Sequence, residues 1–255
     1  MVGKVVIVTG VSRGIGRSIV DRIFSHDKDA VVVGIARSEP PLLEIKKQYG
    51  DKFEFVVGDI TDDNKLNQLV QTALDKYGKI DSLVANAGVL EPVQDVFNID
   101  VAGWKNLFDI NFFSIVSLVN IAIPYLIKSP DANIIFVSSD ASDTYFSNWG
   151  AYGSSKAALN HFAMTVANEA KHVKCLSVAP GIVDTSMQVN IRENVGPNMS
   201  EEHHEMFKNL HADNKLLDSN IPANVYAQLA LKGIPKDING TYISFDDDKL
   251  KEYQY

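Results

Sequence analysis

The chain predicts an α/β fold: a doubly wound parallel sheet of about seven strands with helices on both faces. Three observations carry this expectation. Short β-branched runs such as VVIVT, VVVGI and IIFV are continuously apolar, as strands covered on both faces require. Helix-length segments separate these runs, so strand and helix alternate. The first strand also leads straight into a glycine-rich turn that opens a helix.

The first strand, about 4–9, contains VVIVT, and its helix, about 14–25, begins inside the turn GVSRGIG. The second strand, about 30–36, contains VVVGI. The third, about 53–57, reads FEFVV and precedes a helix at about 61–77. The fourth, about 82–86, is followed by a helix at about 101–128. That helix carries the longest apolar region, FFSIVSLVNIAIPYLI, whose Ser, Asn and Pro suit a buried or interface helix better than a membrane span. The fifth strand, about 133–138, contains IIFV and leads to a helix at about 151–171. The sixth and seventh, about 174–178 and 241–245, flank a helix at about 222–232. No repeat, low-complexity tract or Pro/Gly-rich linker interrupts this order, so a single domain, 1–255, is expected. The polar stretch at about 186–217, with its run EEHHE, breaks the alternation and is expected to be a lid over the ligand. His203 and His204 are adjacent and would point apart on a helix, so a solvated lid helix is expected there and no metal site.

The 255 residues are 45% hydrophobic and 22% charged, ordinary for a soluble protein with a full core. A net charge of −8 argues against a nucleic-acid partner, which needs a basic face. The single cysteine, Cys175, excludes an internal disulfide framework and suits a reducing compartment. The start, MVGKVVIVTG, shows no leader pattern; a cytoplasmic protein without a membrane partner is expected.

Two motifs carry chemistry. Gly10, Gly14 and Gly16 follow the first strand and open a helix, which lets backbone N–H groups approach a pyrophosphate. A structural β–α corner would also need glycines. An NAD site would place an acid about twenty residues on, to bind a ribose hydroxyl; Ala36 stands there, followed by Arg37, while Arg13 lies in the turn. Two guanidinium groups without a carboxylate suit a 2′-phosphate, the alternative being two solvated arginines. The second motif is Tyr152 and Lys156, four residues apart in AYGSSKAAL. On a helix they share a face. A phenol titrates near about 10 when unperturbed. A fixed ammonium beside it would lower that value and make a tuned acid/base. The alternative is a surface helix carrying an unrelated Tyr and Lys.

Together, TGVSRGIG, the NAG at 86–88, Asn111, Ser139, Tyr152 with Lys156, and PGIVDT at 180–185 resemble the short-chain dehydrogenases/reductases, in order and spacing, over about residues 3–245. The segments SRGIGRSI and INGTYISFDDDKLKEYQY look more like the sepiapterin reductase and benzil reductase subgroup. The resemblance implies a Rossmann fold and an NADP(H)-dependent reductase of a small-molecule ketone or diketone. It implies that Gly10, Ser12, Arg13, Gly14, Ile15 and Gly16 line the cofactor phosphates and ribose, with Arg37 beside the 2′-phosphate. Asp59 and Ile60 would border the adenine, and Asn86, Ala87 and Gly88 would lie beneath the cofactor. Pro180, Gly181, Val183 and Thr185 would hold the nicotinamide end. Ser139, with Ser138 as the competing choice, would bind the substrate oxygen. Tyr152 would be the general acid. Lys156 would bind the ribose, and Asn111 would hold a water linking Lys156 to solvent. A homodimer or homotetramer through the 101–128 and 151–171 helices is also implied, although some relatives are monomers. The apolar stripe Phe112, Val116, Val119 and Ile123 fits such an interface and fits core packing equally. Two other readings stay open: a non-catalytic dinucleotide sensor on the same fold, and an NAD-linked alcohol dehydrogenase.

Overall fold

The computed structural model describes residues 3–255. Seven parallel strands form one sheet: β1 (Val5–Thr9), β2 (Val31–Ala36), β3 (Phe53–Val57), β4 (Ser82–Ala85), β5 (Ala132–Val137), β6 (Val173–Ala179) and β7 (Tyr242–Ser244). Their order across the sheet is β3-β2-β1-β4-β5-β6-β7. The chain winds outward from β1 to β3, then returns to pair β4 against the other edge of β1. That reversal opens a crevice beyond the carboxyl ends of β1 and β4, where ligands bind in such sheets.

Burial explains why the strands read as unbroken apolar runs. In β1 every residue is buried. Val6 and Val8 enter one core, against α1 (Gly14–His26), α2 (Glu39–Tyr49) and α9 (Asn220–Lys232). Val5 and Ile7 enter the other, against α3 (Asp63–Tyr77), α5 (Ser114–Leu126) and α6 (Gly150–Glu169). Side chains alternate across a strand, so a strand sandwiched between two helical layers must be apolar at every position.

The elements follow the expected order with informative differences. The sequence reading named no helix at Glu39–Tyr49; the structure forms one there with Pro40 and Pro41 in its first turn, where a missing N–H would be unpaired anyway. The expected 101–128 helix is continuous from α4 (Val101–Phe108) to α5, but one π-helical turn, Asp109–Phe113, interrupts it. By length and mean hydropathy (1.7) this helix could cross a membrane. It packs on the sheet instead, with Leu107, Ile115, Leu118, Ala122 and Leu126 buried. Of the apolar stripe, Val119 is buried, whereas Phe112, Val116 and Ile123 are half-buried. The irregular stretch contains α7 (Ser186–Asn190) and α8 (Glu201–Ala212). Its two ends are joined: Val183 bridges Leu217, Leu217 N donates to Ile182 O at 2.9 Å, and Asp184 N donates to Leu217 O at 2.9 Å.

Candidate active site

A cleft of about 890 Å³ lies over the carboxyl ends of the strands. Every residue assigned above to the dinucleotide lines it, from Gly10, Ser12, Arg13, Gly14, Ile15 and Gly16, through Arg37, Asp59, Ile60, Asn86, Ala87 and Gly88, to Pro180, Gly181, Val183 and Thr185. Tyr152, Lys156 and Ser139 line it as well; Asn111 does not.

At one end, β1 runs into the glycine turn. Gly10 has φ +72°, a left-handed conformation that favours glycine. A Cβ on Gly16 would stand 2.2 Å from the Gly10 carbonyl oxygen and 2.4 Å from Asn86 Nδ2, so only a hydrogen fits. Asn86 ties the turn to β4: its Nδ2 donates to Thr9 O at 2.9 Å and Gly10 O at 3.3 Å. Thr9 Oγ1 accepts from the Asn86 and Ala87 backbone N–H groups, each at 3.0 Å. The sequence reading placed Thr9 at the head of the turn without giving it a role; its position immediately before Gly10 was the available signal. At the start of α1 no side chain caps the helix, and its first turn holds no acid. Its leading N–H groups and positive dipole end are therefore available to an anion. Arg13 and Arg37 are exposed at the cleft, and neither forms an ion pair among the described residues. Asp59 is less free: its Oδ1 accepts from Thr61 N at 3.0 Å and Thr61 Oγ1 at 2.9 Å. These features fit a nicotinamide dinucleotide.

At the other end, α6 presents Tyr152 and Lys156 on one face. Lys156 Nζ stands 5.7 Å from the centroid of the Tyr152 ring. Both side chains are buried, with Tyr152 7% exposed and Lys156 3%. One expectation is corrected here: burial pushes the Tyr152 phenol above its ordinary value. The Ser139 side chain acts the other way, and the Asp140 carboxylate adds to the rise. Burial also lowers the pKa of Lys156 to about 8, which still leaves it mostly an ammonium at neutral pH. Its ammonium donates to Val137 O at 2.7 Å, at the end of β5.

Both serines after β5 line the cleft, and their hydroxyls differ in partner. Ser138 is 1% exposed and its hydroxyl donates to Asn160 Oδ1 at 2.6 Å. Ser139 is half-buried; its Oγ accepts from Ala141 N at 3.2 Å and its side chain also hydrogen-bonds Tyr152, so its O–H is turned to the Tyr152 side of the cleft. Asn111 sits in the π-helical turn, fully buried. Its Oδ1 accepts from Val89 N and its Nδ2 donates to Val89 O, both at 2.8 Å, with Ser155 Oγ at 3.3 Å from Nδ2. The Asn111 amide thus clamps the Val89 backbone beside Gly88. A Cβ on Gly88 would lie 3.3 Å from Asn111 Oδ1 and 3.5 Å from Lys156 Nζ, so the two groups flank that glycine.

The wall facing Tyr152 is aromatic, which the sequence reading missed. Trp149 packs edge-on to Tyr152 at 5.7 Å between centroids. It stacks on Phe146 at 4.9 Å and on Phe207 of α8 at 5.4 Å. FSNWGAY, with aromatics three and six residues before Tyr152, was the available signal. Phe207 lies far along the chain and is brought in by the fold. The 186–217 segment is pinned to this loop: His203 Nδ1 accepts from Ser147 N at 2.8 Å, and Ser147 Oγ accepts from Ser200 N at 2.8 Å. His204 Nε2 pairs with Arg192 O at 2.9 Å. The helix expected there is α8, exposed over most of its length with Phe207 buried, while both histidines are half-buried docking groups. On the near rim, Asn190 Nδ2 donates to Glu91 Oε1 at 2.7 Å across the cleft.

A parallel sheet of this order with a glycine-rich dinucleotide cleft and a buried Tyr–Lys pair defines a nucleotide-dependent oxidoreductase class, and comparison with known proteins specifies it. The family model described as short chain dehydrogenase matches residues 4–196, and the chain belongs to that family. An uncharacterized oxidoreductase of Saccharomyces cerevisiae, YIR035C, is 66% identical over 252 residues, covering 98% of this chain and 99% of the relative. Its crystal structure superposes with a TM-score of 0.98 at 65% identity, covering 99% of this chain and all (100%) of the other. The benzil reductase ((S)-benzoin forming) IRC24 of the same yeast is 47% identical over 261 residues, covering 99% of both chains. A second yeast structure, of a cytoplasmic protein with unknown function, is 64% identical with a TM-score of 0.86, covering 99% of this chain and 100% of the other. The protein is therefore an oxidoreductase of a family that binds a nicotinamide dinucleotide.

Proposed function

We propose that the protein is an NADPH-dependent reductase acting on a ketone or diketone carbonyl of a small apolar molecule, with Tyr152 as general acid. The observation that carries this reading is the buried, proton-retaining Tyr152 phenol beside Ser139, on the floor of a cleft whose far end is an uncapped helix flanked by Arg13 and Arg37. The dinucleotide, when bound, supplies the hydride.

The chain's own residues do the rest. Ser139 donates its O–H to the substrate oxygen, where negative charge develops. Tyr152 hydrogen-bonds the same oxygen and gives it a proton; a phenol held above its ordinary pKa is protonated at neutral pH, as an acid in the reducing direction must be. Lys156 is anchored on Val137 O beside the Tyr152 ring, with donors left for the ribose hydroxyls. Asn111 holds the Val89 backbone, and so the Gly88 segment, over that ammonium. Gly10, Ser12, Gly14, Ile15 and Gly16 cradle the pyrophosphate. Asp59 and Ile60 border the adenine, Asn86 and Ala87 underlie the cofactor, and Pro180, Gly181, Val183 and Thr185 meet the nicotinamide end. Arg13 and Arg37 take the 2′-phosphate, which no carboxylate at position 36 opposes.

The aromatic wall of Phe146, Trp149 and Phe207 suits a flat, aryl-bearing substrate, in keeping with the benzil reductase relative. We read 1–255 as one catalytic domain whose 186–217 segment is the substrate lid. The net charge of −8 and the single buried cysteine favour a cytoplasmic protein that binds neither nucleic acid nor membrane. Self-association would use the exposed side of α4, α5 and α6, where Phe113 and Met164 reach solvent.

The test is a panel of aryl ketones and vicinal diketones, followed by absorbance with NADPH and with NADH. Oxidation of NADPH by diketones at well over the NADH rate is expected. Arg37→Asp should shift the preference toward NADH; an unchanged preference removes Arg37 from the assignment, and no oxidation of either cofactor on any carbonyl defeats the reductase reading.

A further inference from the structure

Ser139 is the last residue before a single 3-10 turn, Asp140–Ser142, that leads away from β5. Three residues cannot hold a catalytic hydroxyl in place alone, so the supports of this turn matter. On one side lies α6: a Cβ on Gly153, the residue after Tyr152, would stand 2.5 Å from Ala141 O, so helix backbone and turn are in direct contact. On the other side lies Tyr242, on the edge strand β7. Tyr242 pairs in register with Ser177 of β6, and its ring reaches past β6 to the end of β5. Its hydroxyl donates to Ser139 O at 3.2 Å and stands 3.4 Å from Asp140 Oδ1. Within the turn, the same carbonyl accepts from Ser142 N at 2.9 Å.

We propose that Tyr242 is a positioning residue: its hydroxyl clamps the turn that aims Ser139 at the substrate oxygen. Tyr242 does not itself line the cleft, and the mechanism above leaves it without a role. The clamp acts against a repulsion. Asp140 is half-buried beside Asp143 of the same turn and Asp246 beyond β7; burial first, and then these like charges, disfavour its carboxylate. The Tyr242 hydroxyl is the side-chain donor that favours it. Without that donor the carboxylate would swing away from Asp143 and Asp246, carrying the Ser139 backbone with it. A displacement of about 1 Å at a catalytic group can cost about 100-fold in rate. The Oγ of Ser139 is also oriented by Ala141 N, inside the turn that would loosen.

This inference rests on the reductase reading, and one variant separates the two. In Tyr242→Phe, kcat for carbonyl reduction should fall about tenfold, with KM for NADPH and Tm close to wild type. Hydrogen exchange of the Ala141 amide, followed by NMR without substrate or cofactor, should accelerate by a similar factor. Tyr253→Phe removes another hydroxyl-to-carbonyl bond, 3.0 Å to Gly233 O and remote from the cleft, and should change neither. Wild-type kcat and Ala141 exchange in Tyr242→Phe overturn the proposal. So does a loss of kcat matched by an equal loss of folded protein and of NADPH affinity, since that marks a merely structural tyrosine. Wild-type protein inactive on every carbonyl sinks the reductase reading instead, and the Ala141 exchange rate then decides on the clamp.

Discussion

Replacing Lys156 by Met should abolish turnover and yet stabilise the protein at neutral pH. Lys156 is buried, and burial lowers its pKa from 10.5 to about 8. Each pH unit is worth about 1.4 kcal/mol, so the folded chain holds this ammonium at a penalty of about 3 kcal/mol. Because the folded pKa is depressed, the unfolded chain binds more protons between about pH 8 and 10.5. Stability therefore rises with pH through that window, and it is lost again as pH falls back through about 8. Met has a similar stem and no charge, so Lys156→Met removes the penalty at pH 7. It also leaves Val137 O without its 2.7 Å donor, which costs about 1–2 kcal/mol. The net gain is about 1–2 kcal/mol, or about 3–6 °C in Tm for a chain of this size. At pH 10 the wild type has regained most of its deficit, and the variant's advantage should vanish or reverse. Urea unfolding of both proteins at pH 7 and pH 10 measures this directly. A stability difference that is the same at both pH values refutes the argument, because a pH-independent difference cannot come from the titration of Lys156.

Two further outcomes follow from the same geometry. Tyr152→Phe removes the proposed acid but not the ring against Trp149, so NADPH should bind with unchanged Kd while kcat falls about 100-fold or more; turnover within a few-fold of wild type removes the role. Gly16→Ala would place a Cβ 2.2 Å from Gly10 O, forcing the turn open; about 2–3 kcal/mol of stability and at least tenfold in dinucleotide affinity should be lost, and wild-type affinity measured by fluorescence titration would show that the turn does not hold the phosphates.

Much of the site was legible because its signals are local. Glycines after an apolar strand, an alanine followed by an arginine where an acid would serve NAD, and Tyr and Lys one helical turn apart are each read within a few residues. Placement of the third and fourth catalytic candidates was less direct. Ser138 and Ser139 are indistinguishable as neighbours in a sequence, and both reach the cleft; only the bond from Ser138 to Asn160, across to α6, shows which hydroxyl is already engaged. Asn111 was found by its place in the chain, while its amide proved to be committed to Val89. The Tyr152 pKa was expected to fall and instead rises: helical spacing gives proximity but not burial, and desolvation raises the phenol while it lowers Lys156.

By itself, the amino-acid sequence determined the alternation of strands and helices, the parallel sheet, the dinucleotide turn and the Tyr–Lys pair. Each depends on periodicity or on short spacing, which survive without three-dimensional context. The tertiary structure alone decided the strand order that opens the crevice, the aromatic wall that Phe207 completes, the half-buried docking of His203, and the reach of Tyr242 across β6 to the Ser139 turn. Those features join residues tens of positions apart, and their energies arise from burial, stacking and hydrogen bonds that exist only once the chain has closed on itself.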